Sequence, residues 1–134
     1  FAAPAQAHSL IEIEHILPDT PSVELRAKWT AENPAALYED YKNKLGNLTL
    51  LEKPINIVAG NDFYAAKREE YQKSSNYLTR SLVDLTNVGQ NTSITRINGK
   101  LQSFPTWNAA SIDKRHGVLM SLAQDVWRTT PIDV

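Results

Sequence analysis

The chain has 134 residues, 42% hydrophobic and 22% charged. That is enough apolar material for one domain of ordinary size whose core needs no disulfide staples. Cysteine is absent, which excludes disulfide frameworks and Cys-ligated zinc and leaves only oxygen and imidazole ligands for any metal. The net charge of −1, from 14 basic and 15 acidic residues, is less basic than a free-standing, high-affinity nucleic-acid binder usually is. If the domain acts on nucleic acid, another domain does most of the holding. No apolar run reaches the roughly 18 residues of a membrane span.

The opening "FAAPAQA" is Ala/Pro-rich. With neither a charged nor an apolar segment before it, it does not read as a signal peptide. Residues 1–9 read as a linker or the trimmed end of a longer, multidomain chain, and residues 10–134 as the domain. In "IEIEHILP", residues 11–18, imperfect alternation predicts a short strand that Pro18 brings to an end. A short helix over 22–31 carries Trp29. Asn33-Pro34 suits a helix start, Asn as cap and Pro in the first turn. That helix runs to about Lys44, with Leu37, Tyr38, Tyr41 and Leu45 on one face and Gly46 stopping it.

"NLTLL", residues 47–51, predicts the second strand, ended by Pro54. A helix follows over about 62–73, capped by Asn61 or Asp62, with Phe63, Ala66, Lys67 and Tyr71 at helical spacing. Ser74 and Ser75 interrupt it, and another helix reaches about Leu85. Asn98-Gly99 within "ITRINGKLQSF" is a hairpin signal. A last helix over 109–128 sets Ile112, Arg115, Leu119, Leu122, Val126 and Trp127 on one broad face. The order of elements predicts a mostly helical α+β domain with a small two-stranded element.

Several residues carry chemistry in that frame. His15 ends a strand, and histidine is the residue type most often used as a general base. Glu14 beside it points to the opposite side of a regular strand, so the two share a site only if the strand breaks there. The plainer alternative is an edge pair facing solvent. Asn47 can accept from and donate to a neighbouring loop and hold it, or simply follow a helix end. Asn56 can offer a side-chain carbonyl to a hard cation such as Mg²⁺, or serve as a turn asparagine. Lys67, one turn beyond Phe63, reaches a phosphate or is an ordinary solvated helix lysine. Arg115, on an apolar helix face, buries its stem and pairs with an acid in preference to binding nucleic acid. His8 and His116 suit the surface, and Trp29, Trp107 and Trp127 suit the core.

The ordered set E-H-I-x-P, G-N-L-x-L-L and an Asn nine residues after the first Asn resembles the HNH, or His-Me finger, nucleases. "IEHILP", "LGNLTLL", the pattern N-x4-N-D-F-x3-K-x3-Y-x2-S and the closing Trp107, Ile112, Arg115, Leu119, Ala123, Trp127 series are similar to the C-terminal nuclease domain of GmrSD-type modification-dependent restriction enzymes, over residues 10 to 128. The resemblance implies a ββα-metal site, a hairpin followed by a helix. In it His15 is the general base, Asn47 orients the base and steadies the hairpin, and Glu14 and Asn56 hold one divalent metal, Mg²⁺ or Mn²⁺. Many HNH domains have Asp where this chain has Glu14, and many carry Cys pairs on a structural zinc that this chain cannot bind.

It further implies a metal-dependent DNA endonuclease that nicks one strand per event. Such a domain is a cytoplasmic effector of bacterial defence against phage, joined in the intact chain to an N-terminal ParB-like NTPase sensor of base modification or backbone phosphorothioate. A non-cleaving nucleic-acid-binding domain and an RNA-directed HNH nuclease are the alternatives.

Overall fold

A computed structural model describes residues 10–84 and 101–129, the side chains of the last two excepted. The expected Asn98-Gly99 hairpin and His8 lie outside the described residues. Strands β1 (Ile11–His15) and β2 (Leu48–Glu52) form an antiparallel pair with Glu14 opposite Thr49 and His15 opposite Leu48. Alternation gives the pair two unlike faces. Glu14, Thr49 and Leu51 point inward and are buried, whereas Ile13 and Leu50 on the other face are 64% and 42% exposed. His15 belongs to that open face.

Helix α1 (Val23–Glu32) starts at Ser22, whose hydroxyl accepts from the Leu25 amide, and buries Leu25 and Trp29. Asn33 does not start a helix. It closes α1, its backbone and side-chain N–H groups both donating to the Trp29 carbonyl, while its Oδ1 accepts from the Ala109 amide. The next helix, α2, is only Tyr38–Lys42, and Leu37 is left 70% exposed. Gly46 is not the helix stop either, since α2 already ends at Asn43. Gly46 sits in a 3-10 turn (Leu45–Asn47) pressed against the final helix, where a Cβ would meet the Ile112 carbonyl at 2.2 Å and the His116 amide at 2.7 Å. Glycine is needed there for close approach of two backbones.

β2 runs straight into a helix that the sequence reading missed, α3 (Lys53–Ala59). Pro54 lies in its first turn, where a missing N–H costs nothing, and Gly60, at φ +57°, closes it. Helix α4 (Tyr64–Tyr71) turns Lys67 and Tyr71 inward, and α5 (Tyr77–Arg80) is a single turn, shorter than expected. The Thr79 hydroxyl on α5 bonds the Thr49 hydroxyl and the Leu50 carbonyl of β2.

Helix α6 (Ala109–Thr129) spans the predicted range. Its first turns bury Ile112 and Arg115, but Trp127 is 76% exposed and is not a core anchor. The apolar stripe continues past the point where the described core ends. Trp29 and Trp107 do anchor that core, Trp29 edge-on to Tyr38 and Trp107 stacked on Tyr64 at 5.4 Å. Among the described residues no helix is long and apolar enough to cross a membrane.

Candidate active site

His15 closes β1 on its open face, half-buried, with Nε2 3.1 Å from Oδ1 of Asn43 at the end of α2. An amide oxygen can only accept, so Nε2 carries the proton and Nδ1 is left as the basic nitrogen. Asn43 was not singled out from the sequence. Only the fold brings it across from α2.

Directly after His15 the chain is held by Asn47, which is fully buried. The Ile16 amide donates to the Asn47 carbonyl at 2.9 Å. The side chain uses all four of its hydrogen-bonding positions. Oδ1 accepts from the Leu17 amide at 2.7 Å and the Trp107 indole at 2.9 Å, and Nδ2 donates to the carbonyls of Leu17 at 2.9 Å and Lys42 at 2.7 Å. One side chain thus ties the exit of β1, the end of α2 and the Trp107 segment together.

Glu14 points the opposite way, as strand alternation requires, and is 5% exposed. Its Oε2 accepts from Lys67 Nζ at 2.9 Å and the Tyr71 hydroxyl at 2.7 Å. Lys67 is therefore neither a solvated lysine nor a phosphate contact. It is 1% exposed, and its Nζ also donates to the carbonyls of His15 at 3.0 Å and Ile16 at 3.4 Å. Burial pulls the Lys67 ammonium below its ordinary range, and the neighbouring Glu14 charge opposes that pull. Burial first, then the same carboxylate, pushes the Tyr71 hydroxyl well up, so it stays a donor.

Asn56 lies on α3, not in a loop before a helix, and its Nδ2 donates to the exposed Glu12 at 2.9 Å. Glu14 and Asn56 are thus engaged with different partners, one inside and one at the surface. Among the described residues no three His, Cys, Asp or Glu side chains cluster as metal ligands would. A cation on Glu14 would have to displace an ammonium already at hydrogen-bonding distance. As arranged, these residues do not fit a shared metal ion.

Arg115 is likewise interior, 3% exposed, and meets no acid among the described residues. Its Nη1 donates to the carbonyls of Gly46 at 2.9 Å and Leu48 at 2.7 Å. Burial pushes its guanidinium down to about 10, which leaves it charged at neutral pH. It is no phosphate contact in this arrangement but a brace between α6 and the turn bearing Asn47. His116 adds to that brace, its Nδ1 accepting from the Gly46 amide at 3.2 Å. A cavity of 290 Å³ beside Ile16–Pro18 has aromatic walls from Trp29, Phe63, Tyr64 and Trp107. Among the described residues its charged lining is Lys28 and Glu32, which pair with each other on one turn of α1.

The family described as GmrSD restriction endonucleases, C-terminal domain, matches residues 2–122. The chain belongs to that family, a nuclease domain of restriction endonucleases. No curated relative and no solved structure matches it.

Proposed function

We propose that this GmrSD C-terminal domain hydrolyses phosphodiester bonds of DNA, with His15 as the general base. The observation that carries the proposal is the placement of His15. A titratable base stands at a strand end on the open face of the sheet, turned by Asn43 so that Nδ1 is the basic nitrogen. The segment leaving it is fixed by the fully bonded Asn47. In the reaction, His15 Nδ1 takes a proton from water, the water oxygen bonds to phosphorus, and the bond from phosphorus to the 3′ oxygen breaks. One such base cuts one strand, so a nick is the expected product of a single domain. Among the described residues, Ile13 and Leu50 on the same face are exposed and leave the approach to His15 uncovered.

A divalent cation, Mg²⁺ or Mn²⁺, belongs to this proposal through the family resemblance alone. Glu14 and Asn56 do not seat it as arranged, and no step of the reaction is assigned to it. The same resemblance supports a role as effector of a bacterial, cytoplasmic restriction system against phage DNA, with an N-terminal ParB-like sensor domain as its partner. One observation favours a second reading, a nucleic-acid-binding domain that does not cut. The Glu14 carboxylate is already occupied by Lys67 and Tyr71.

Supercoiled plasmid and labelled single-stranded RNA, incubated with the protein in Mg²⁺, Mn²⁺ or EDTA, separate these readings. The proposal expects open-circular DNA in the presence of metal and intact RNA. Cleavage of RNA alone would make the domain an RNA-directed nuclease. Binding to DNA without any cut in either metal would leave the second reading standing.

A further inference from the structure

Resting on the reading of His15 as the base, we infer that Lys67 is a positioning residue for it, gripping the backbone on which the imidazole is mounted. An ammonium has three N–H donors, and all three have acceptors here: Glu14 Oε2, the His15 carbonyl and the Ile16 carbonyl. Only the first is needed to balance charge. The other two belong to the residue that bears the base and to its successor.

Asn47 holds the adjoining residues, Ile16 and Leu17, through different atoms. It takes the amides of Ile16 and Leu17 and the carbonyl of Leu17, while Lys67 takes the carbonyls of His15 and Ile16. Between them the two residues engage every backbone polar group from the His15 carbonyl to the Leu17 carbonyl. That is the point at which a two-stranded sheet, with only one neighbouring strand, would otherwise let β1 fray.

The position of Lys67 on α4 explains how an ammonium is kept there. Lys67 and Tyr71 are four residues apart and share the inward face of the helix. Tyr71 holds Glu14 by the same oxygen that meets Lys67, so the carboxylate cannot swing away from the ammonium without breaking two bonds. A buried ammonium with no such partner would be strongly disfavoured. Glu14 thus keeps Lys67 in place, and Lys67 keeps His15 in place. The same pairing accounts for the misfit of a metal at Glu14.

The test compares Glu14→Gln/Lys67→Met with the wild-type chain, both in the full-length protein. The paired change removes both charges together and leaves no lone ion in the interior. Two quantities are read. The first is native-state hydrogen exchange at the Ile16 and Leu17 amides, referred to global stability from denaturant unfolding. The second is kcat and KM for nicking a short DNA duplex in Mg²⁺ or Mn²⁺. The paired variant should exchange both amides at least about tenfold faster than the wild-type chain at matched global stability. Its kcat should fall by about 10²-fold with KM within about twofold, as expected when a catalytic group is misplaced by about an ångström.

Unchanged exchange would overturn the proposal. So would a raised KM at constant kcat, which would make Lys67 a substrate contact. If no form of the protein cuts DNA, the nuclease reading fails, and the exchange measurement alone decides whether Lys67 holds this segment.

Discussion

The imidazole of His15 and the side-chain amide of Asn43 meet at 3.1 Å across 28 residues of sequence. The contact fixes one tautomer and one ring orientation at the end of β1. Because Asn43 is exposed, removing its side chain leaves no buried group unpaired. Asn43→Ala should therefore lower the nicking rate by about tenfold through loss of orientation, while unfolding stability changes by less than about 0.5 kcal/mol. Parallel rate and urea-unfolding measurements check this. A variant with full activity would remove Asn43 from the site.

Asn47 is a different case, because its four bonds lie in the interior. Asn47→Ala strands the Leu17 amide and the Trp107 indole as buried donors and leaves the Leu17 and Lys42 carbonyls short of a partner. Two orphaned donors at about 1–3 kcal/mol each put the expected loss near 4 kcal/mol. Guanidinium unfolding midpoints, with the slope unchanged, would measure it. Activity of any folded fraction should drop too, since the exit of β1 loses half of its support.

Arg115 separates two meanings of a positive charge in a nuclease. Its guanidinium faces two backbone carbonyls, not solvent. Arg115→Gln should cost about 2–3 kcal/mol of stability. It should leave the salt dependence of DNA binding unchanged, because a lost phosphate contact would lower the slope by about 1. Titrations of the folded variant at several salt concentrations decide between the two. A reduced slope with normal stability would return Arg115 to the DNA interface.

Acid should loosen the seam between α2 and α6. The Lys44 ammonium, at 2.8 Å, holds the Asp113 carboxyl below its ordinary value of 3.8; partial burial opposes this, and the Tyr41 hydroxyl, at 2.9 Å, adds to it. A carboxyl depressed in the folded state contributes stability that is fully present above its unfolded value and is lost as pH falls through its folded value. The window therefore opens just below about pH 4 and extends downward from the unfolded carboxyl range. Asp113→Asn should flatten the stability curve in that window. The change should be well under about 1 kcal/mol, because the side chain is about half exposed and solvent screens the pair. Unfolding midpoints of both forms at pH 6 and pH 3 check the sign.

The elements that follow from local pattern were readable in the sequence. Both strands, the Trp29 helix and the long final helix fall within a residue or two of their predicted bounds, because alternation and 3.6-residue periodicity carry them. Asn33-Pro34 misled because asparagine caps either end of a helix. The outcome was set by Trp29 and Ala109, one on each side of it. Helix α3 escaped because seven residues with a proline in the first turn show little periodicity. Trp127 shows the opposite limit, a helical stripe that runs on beyond the described core.

For the site, the ordered residues were legible and their orientations were not. Glu14 and His15 stand where the pattern set them, yet the strand stays regular through His15, so they face apart. Lys67 looked like a surface lysine, and only its spacing from Tyr71 hinted at an inward face. Its partner Glu14 lies 53 residues away, beyond the reach of any local pattern.

The most direct test of His15 as the base is the nicking rate of His15→Ala against the wild-type protein, under single turnover on one DNA duplex, in Mg²⁺ and in Mn²⁺. Folding of both forms is verified by denaturant unfolding. A general base contributes about 10²–10⁴-fold, and His15 is partly buried, with its imidazole bonded to the exposed Asn43. The variant should therefore fold normally, bind DNA equally and cut at least about a hundredfold more slowly. A folded His15→Ala protein that nicks at the wild-type rate would contradict the assignment of His15.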